Sequence, residues 1–190
     1  MRVGELLRQV EAQRPRNAWA DDVKMMWLED IERAIAHMAG ADYEGHILAS
    51  DGSGTGVACA DTEHIKLPWE MDVRDGGTVT ISGASVAANN VTAEVLAWET
   101  EDGETSITVP SGTFTAMPAE SGVVSVVYDG RNEPTLAEGY DRMYRMWMIA
   151  MMDFADNEMQ RYANTYNEYE LEMRKFRAAW ATANVDSHAN

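Results

Sequence analysis

The sequence predicts an α+β protein: a small helical bundle of about four helices, interrupted by an antiparallel β-sandwich or barrel. Three observations carry this. Apolar residues recur at three- and four-residue steps near both ends of the chain. The middle is filled by β-branched runs separated by Gly, Asp and Asn. The middle is also far more acidic than the ends. Residues 55–133 hold thirteen acids against Lys66, Arg74 and Arg131, whereas residues 1–40 and 138–181 are close to balance.

Val3, Leu6, Leu7 and Val10 predict a short amphipathic helix that Pro15 closes. Asn17, Asp21 and Asp22 are start signals for a second helix. Its apolar stripe reads Val23, Met26, Trp27, Ile31, Ile35 and Met38, and Gly40 ends it. The stretch DYEGHILASDGSGTG reads as a loop, with DGSGTG a flexible linker. From residue 57, GGTVTISG, NVTAEVLAW, ETSITVPSGTFTA and GVVSVVYDG read as strands; VACAD and HIKLPWEMDV add one or two more. Gly76-Gly77, Asp102-Gly103 and Asp129-Gly130 are turn signals.

Helical spacing resumes after Pro134. Met143, Trp147, Ile149, Met151 and Phe154 mark one stripe; Met159, Tyr162, Tyr166, Tyr169, Met173, Phe176 and Trp180 mark a second. Asp156-Asn157 is the expected break between them. The tail NVDSHAN is polar and expected to fray. The expected domains are residues 1–56 with 134–190, helical, and residues 57–133, a β-rich insert whose ends lie close together.

The formal net charge of −17 disfavours tight binding to nucleic acid, which needs clustered Lys and Arg. No apolar run is long enough to span a bilayer and no signal peptide opens the chain, so no membrane association is expected. Cys59, the single cysteine, reads as a buried small hydrophobe. His37, His46, His64 and His188 lack a second ligand at metal-binding spacing. Glu99, Glu101, Asp102 and Glu104 crowd a hairpin tip that reads as a solvated turn or a weak cation site. No nucleophile, base and oxyanion donor stand together. The chain therefore reads as a non-enzyme with no catalytic residue, cofactor or metal. The Met and aromatic surplus of the last helices suits a protein interface. Tyr166, Tyr169 and Trp180 are the interface candidates; Trp27, Trp147 and Phe176 are assigned to the core.

Two segments carry a resemblance. Near the start, Lys24, Trp27, Leu28, Ile31 and Glu32 form a K-x-x-W-L-x-x-I-E run on the second helix. Near the end stand Tyr140, Asp141, Met143 and Tyr144; then Met151 and Asp153; then Arg161, Tyr162 and Asn164; then Tyr166, Tyr169, Phe176 and Trp180. In this order they resemble the head–tail connector (adaptor) proteins of phages. The middle departs from that family, and SGTFTAMPAESGVVSVVY is similar to the last strands of bacterial immunoglobulin-like modules. The resemblance implies a structural virion protein in the neck, present in the host cytoplasm during assembly. It implies a homo-oligomeric ring, usually twelve-fold, on the portal protein. Such a ring receives a neck or tail completion protein and leaves a channel through which the genome passes without specific binding. The alternative is a binding or decoration module whose β-insert recognises a glycan or partner surface through Trp69, Trp98 and Tyr128.

Overall fold

The computed structural model describes residues 1–15 and 17–187. It is a mixed α+β structure with four α-helices and two four-stranded antiparallel sheets, neither closed into a barrel. It divides into two compact units. One holds Met1, Glu5–Gly45 and everything from Thr135 onward; the other holds Arg2–Gly4 and His46–Pro134. His188 and the end of the polar tail lie outside the described residues.

The helical unit contains α1 (Val3–Gln13) from Glu5 onward, α2 (Asp21–Ala39), α3 (Asp141–Ala155) and α4 (Met159–Ser187). Gly40 adopts the left-handed conformation (φ 66°) that only glycine takes without cost, and its N–H caps α2. Ala20, not Asn17, occupies the N-cap of α2. Asn17 instead accepts from the Trp19 N–H and donates to the Arg14 carbonyl and to Glu11. Asn157 (φ 60°) reverses the chain between α3 and α4. The face buried by α2 is shifted by a residue from the expected stripe. Met25, Leu28, Ile31, Ile35 and Ala36 are buried, whereas Met26 is 63 % exposed and Trp27 half-buried. The cause is polar: Lys24 and Glu32 lie on the buried face because each has ion-pair or hydrogen-bond partners there.

In the β unit the first sheet runs β1 (Ala49–Gly54), β8 (Val124–Asp129), β4 (Thr78–Ser82), β5 (Thr92–Glu94). The second runs β2 (Ala58–Cys59), β3 (His64–Leu67), β7 (Glu104–Thr108), β6 (Ala97–Glu101). Alternate residues of both sheets enter one core: Val79, Ile81, Val124, Val126 and Tyr128 from the first, Cys59, Ile65, Leu67 and Ile107 from the second. The run NVTAEVLAW is not one strand. Val95 is fully buried and the chain changes sheets there, so β5 and β6 belong to different sheets. Asp102 (φ 53°) and Gly103 (φ 81°) form the two-residue turn of the β6–β7 hairpin, both positive as a type I′ turn requires.

The glycine-rich stretch expected as a linker is strand β1, paired along its length with β8. The β unit therefore begins at His46 rather than residue 57. The glycines alternate because Trp69 lies on them. A Cβ on Gly52 would collide with the indole Nε1, and one on Gly54 would come within 2.9 Å of its ring. Composition signalled flexibility, but the absent side chains are room for an aromatic ring. Gly52→Val is expected to destabilise the β unit by about 1–3 kcal/mol through overpacking, read as a lower denaturation midpoint. A midpoint equal to wild type would show that Trp69 moves aside freely.

This boundary also sets where an excision belongs. Joining residue 56 to residue 134 would leave β1 without β8. Joining Gly45 to Thr135 through a short Gly/Ser linker is expected to leave a soluble helical protein, because loop closure costs little. Circular dichroism of that variant checks the expectation; loss of the helical signal would show that the helices need the β unit.

Candidate interaction surface

The helical unit builds a continuous band of aromatic rings from α2, α3 and α4. On α4, Tyr162, Tyr166 and Tyr169 stand at four- and three-residue steps, which places them on one face. Their centroids are 5.4 and 5.5 Å apart. Phe154, near the end of α3, meets Tyr162 at a tilt, 5.3 Å away, and Trp147 packs on Tyr169 at 5.0 Å. The Trp147 indole donates to the Trp27 carbonyl (2.6 Å), and Trp27 meets Trp19 edge-on at 5.6 Å. The Trp19 indole donates to Asp156, which brings the band back to the α3–α4 turn.

This geometry separates the interface candidates. Tyr169 is 7 % exposed and sits in the core of its own unit, with Met173 and Phe176. It was expected at an interface, but i,i+4 spacing alone does not tell which turn of a helix its neighbour covers. Tyr166 and Trp180 are half-exposed, as are Trp27 and Trp147, which were expected in the core. Burial, then Tyr166 and Glu170, pushes the Tyr169 phenol up to about 12, so the ring stays neutral. Exposed apolar side chains continue the band at the α3–α4 turn: Phe154 (55 %) and Met159 (50 %). A row of rings beside an uncovered Phe and Met is a surface suited to protein contact.

Beneath the band lies a buried polar framework that periodicity did not reveal. Asp153 of α3 accepts from Arg14 after α1, with its two carboxylate oxygens 3.0 and 3.1 Å from the guanidinium Nη2, and from the Thr165 hydroxyl of α4. Glu32 accepts from the Leu136 N–H (2.9 Å) and the Tyr43 hydroxyl (3.1 Å). Burial, followed by the charge of Glu32, raises the Tyr144 phenol, whose oxygen accepts from the Ala137 N–H. Lys24 bonds Glu11 at 2.8 Å. These groups tie α1, α2, α3 and α4 to one another and to the segment before α3.

In the β unit, Glu133 is 2 % exposed and its carboxylate takes three partners: the Tyr128 hydroxyl, the His46 Nδ1 and the Ile47 N–H. Its backbone carbonyl accepts from the Val3 N–H at 2.9 Å. Arg2–Gly4, His46–Ile47 and Gly130–Pro134 are thereby tied together. His64 bonds Asp61, and the Glu63 N–H, then His64, hold that carboxyl below its usual range. His37 is exposed on α2. Cys59 is buried beside Asn89, and burial pushes its thiol up to about 11. Glu101 faces Glu104 across the hairpin, and Lys66 pairs with Glu104. Among the described residues, no group of three His, Cys, Asp or Glu is placed to hold a metal ion. Among the described residues, no helix is long and apolar enough to cross a membrane. Of the aromatics suited to a glycan platform, Tyr128 is fully buried, Trp69 lies on β1, and Trp98 is capped by Arg74, 4.8 Å above its ring.

No protein-family model matches the chain, and no curated protein matches it in sequence.

Proposed function

We propose that this chain is a structural adaptor of a phage neck: a helical bundle that assembles into a ring on the portal, with an immunoglobulin-like β-insert. One observation carries the reading. Four of the polar residues on which the connector resemblance rests hold structural posts in the helical unit, whereas Arg161 and Asn164 of the same pattern are exposed. Lys24, Glu32, Tyr144 and Asp153 are all buried, and each is bonded to another segment of the unit. Residues that resemble a family in order and also fasten one framework are better evidence than composition. The aromatic band supplies the contact surface such an assembly needs. The acidic surplus suits a passage for the genome, since acids facing a channel repel phosphates and let it slide.

Electron microscopy of assembled particles tests the reading. Density for the chain is expected as a closed ring at the portal vertex. Its absence from the particle, or its presence on the shell or tail tip as isolated copies, would overturn the proposal. The isolated protein is also expected not to shift duplex DNA at about 0.15 M salt. Micromolar, salt-sensitive binding would contradict the passive channel.

A further inference from the structure

We propose that the end of α4 is the surface by which one copy of the chain grips the next, docking on an acidic face of a second copy. This rests on the ring reading and names the contact. The buried stripe of α4 runs Tyr169, Met173, Phe176, and the next step at the same spacing is Trp180. Up to Phe176 the stripe is covered from α3 and its approach: Trp147 lies on Tyr169, and Tyr140 meets Phe176 edge-on at 4.9 Å. Tyr140 immediately precedes α3, so that cover ends there. The helix nevertheless continues to Ser187, roughly 16 Å further. Trp180 touches Phe176 (6.1 Å) and stays half-exposed. Ala178, Ala179, Ala181 and Ala183 around it are exposed and small, which lets another backbone approach closely. Beside this end, Ala34, Ile35 and Met38 of α2 line a groove with Met173 and Arg177.

Charge identifies the occupant. Arg174, Lys175 and Arg177 stand within four residues, and no acid lies between Met173 and Ala183. Lys175 reaches back to Glu172. Among the described residues neither Arg174 nor Arg177 has an ion-pair partner. Copies of a chain with net charge −17 repel each other, so a neighbour is best held where local charge has the opposite sign. A basic helix end meeting acids elsewhere on an identical chain is a head-to-tail contact, the kind that closes rings.

Sedimentation of the full chain tests this, at about 0.1 M and about 0.5 M salt. Wild type is expected to self-associate, and less at the higher salt. Trp180→Ala is expected to weaken association on the order of tenfold or more, as for a buried aromatic anchor. The triple charge reversal R174E/K175E/R177E is expected to leave a monomer with an unchanged circular dichroism spectrum, because the three side chains are exposed. A wild type that stays monomeric, or variants that associate like it, overturns the inference. If the charge-reversed chain still forms rings at particle necks, the α4 contact is wrong and the ring reading stands. If the chain associates through α4 but is absent from necks, the ring reading fails and the contact stands.

Discussion

Replacing Glu133 with alanine is expected to destabilise the β unit by about 2–4 kcal/mol, the cost of removing a buried carboxylate acceptor that three donors share. The Tyr128 hydroxyl, the Ile47 N–H and the His46 imidazole all reach this carboxylate; Tyr128 is fully buried and its hydroxyl is shared with the Arg74 carbonyl at 3.2 Å. Burial, then the bond to Glu133, raises the Tyr128 phenol, so the hydroxyl keeps its proton and remains a donor. Because the Glu133 carbonyl also receives the Val3 N–H, the loss should spread to residues 2–4 and 46–48. Hydrogen exchange checks this as lost protection in those segments and in 130–134. Glu133→Gln keeps an acceptor for Tyr128 or Ile47 and should cost roughly half as much. An alanine variant that unfolds with wild type would show that the three donors find other partners.

Removing the Arg14 side chain is the corresponding experiment on the helical unit. Asp153 is 2 % exposed, and Arg14→Ala leaves its carboxylate with the Thr165 hydroxyl as its remaining side-chain partner. Breaking a buried pair from one side costs about 3–5 kcal/mol. The Arg14 side chain is 31 % exposed, so solvent softens the loss to about 2–4 kcal/mol. A melting temperature lower by roughly 4–16 °C follows for a chain of this size. Arg14→Ala combined with Asp153→Asn should recover part of it, since the buried charge is then gone. Equal loss in the single and double variants would mean that Arg14 acts through packing alone.

Helices and strands were legible where a local signal existed. Gly40, Asp156-Asn157 and Asp102-Gly103 marked the end of α2, the α3–α4 break and the β6–β7 turn, because each conformation depends on the residue that adopts it. Strand β1 was illegible for the opposite reason. Its glycines carry no strand propensity, and their justification is Trp69, which is distant in the chain. The site followed the same division. Aromatic spacing on α4 was plain, yet Tyr169 is buried while Trp27 and Trp147 stay partly open, because the neighbouring helix decides which turn is covered.

By itself, then, the sequence determined that this protein has helical ends, a β-rich acidic middle and an aromatic last helix. Those properties come from periodicity, turn chemistry and charge, which short windows contain. Only the tertiary structure decided that Lys24, Glu32, Glu133 and Asp153 lie inside, that β5 and β6 part at Val95, and where α4 leaves its cover. Each of these depends on a partner far away in sequence. A buried charge is tolerable only where folding brings its counter-group to it.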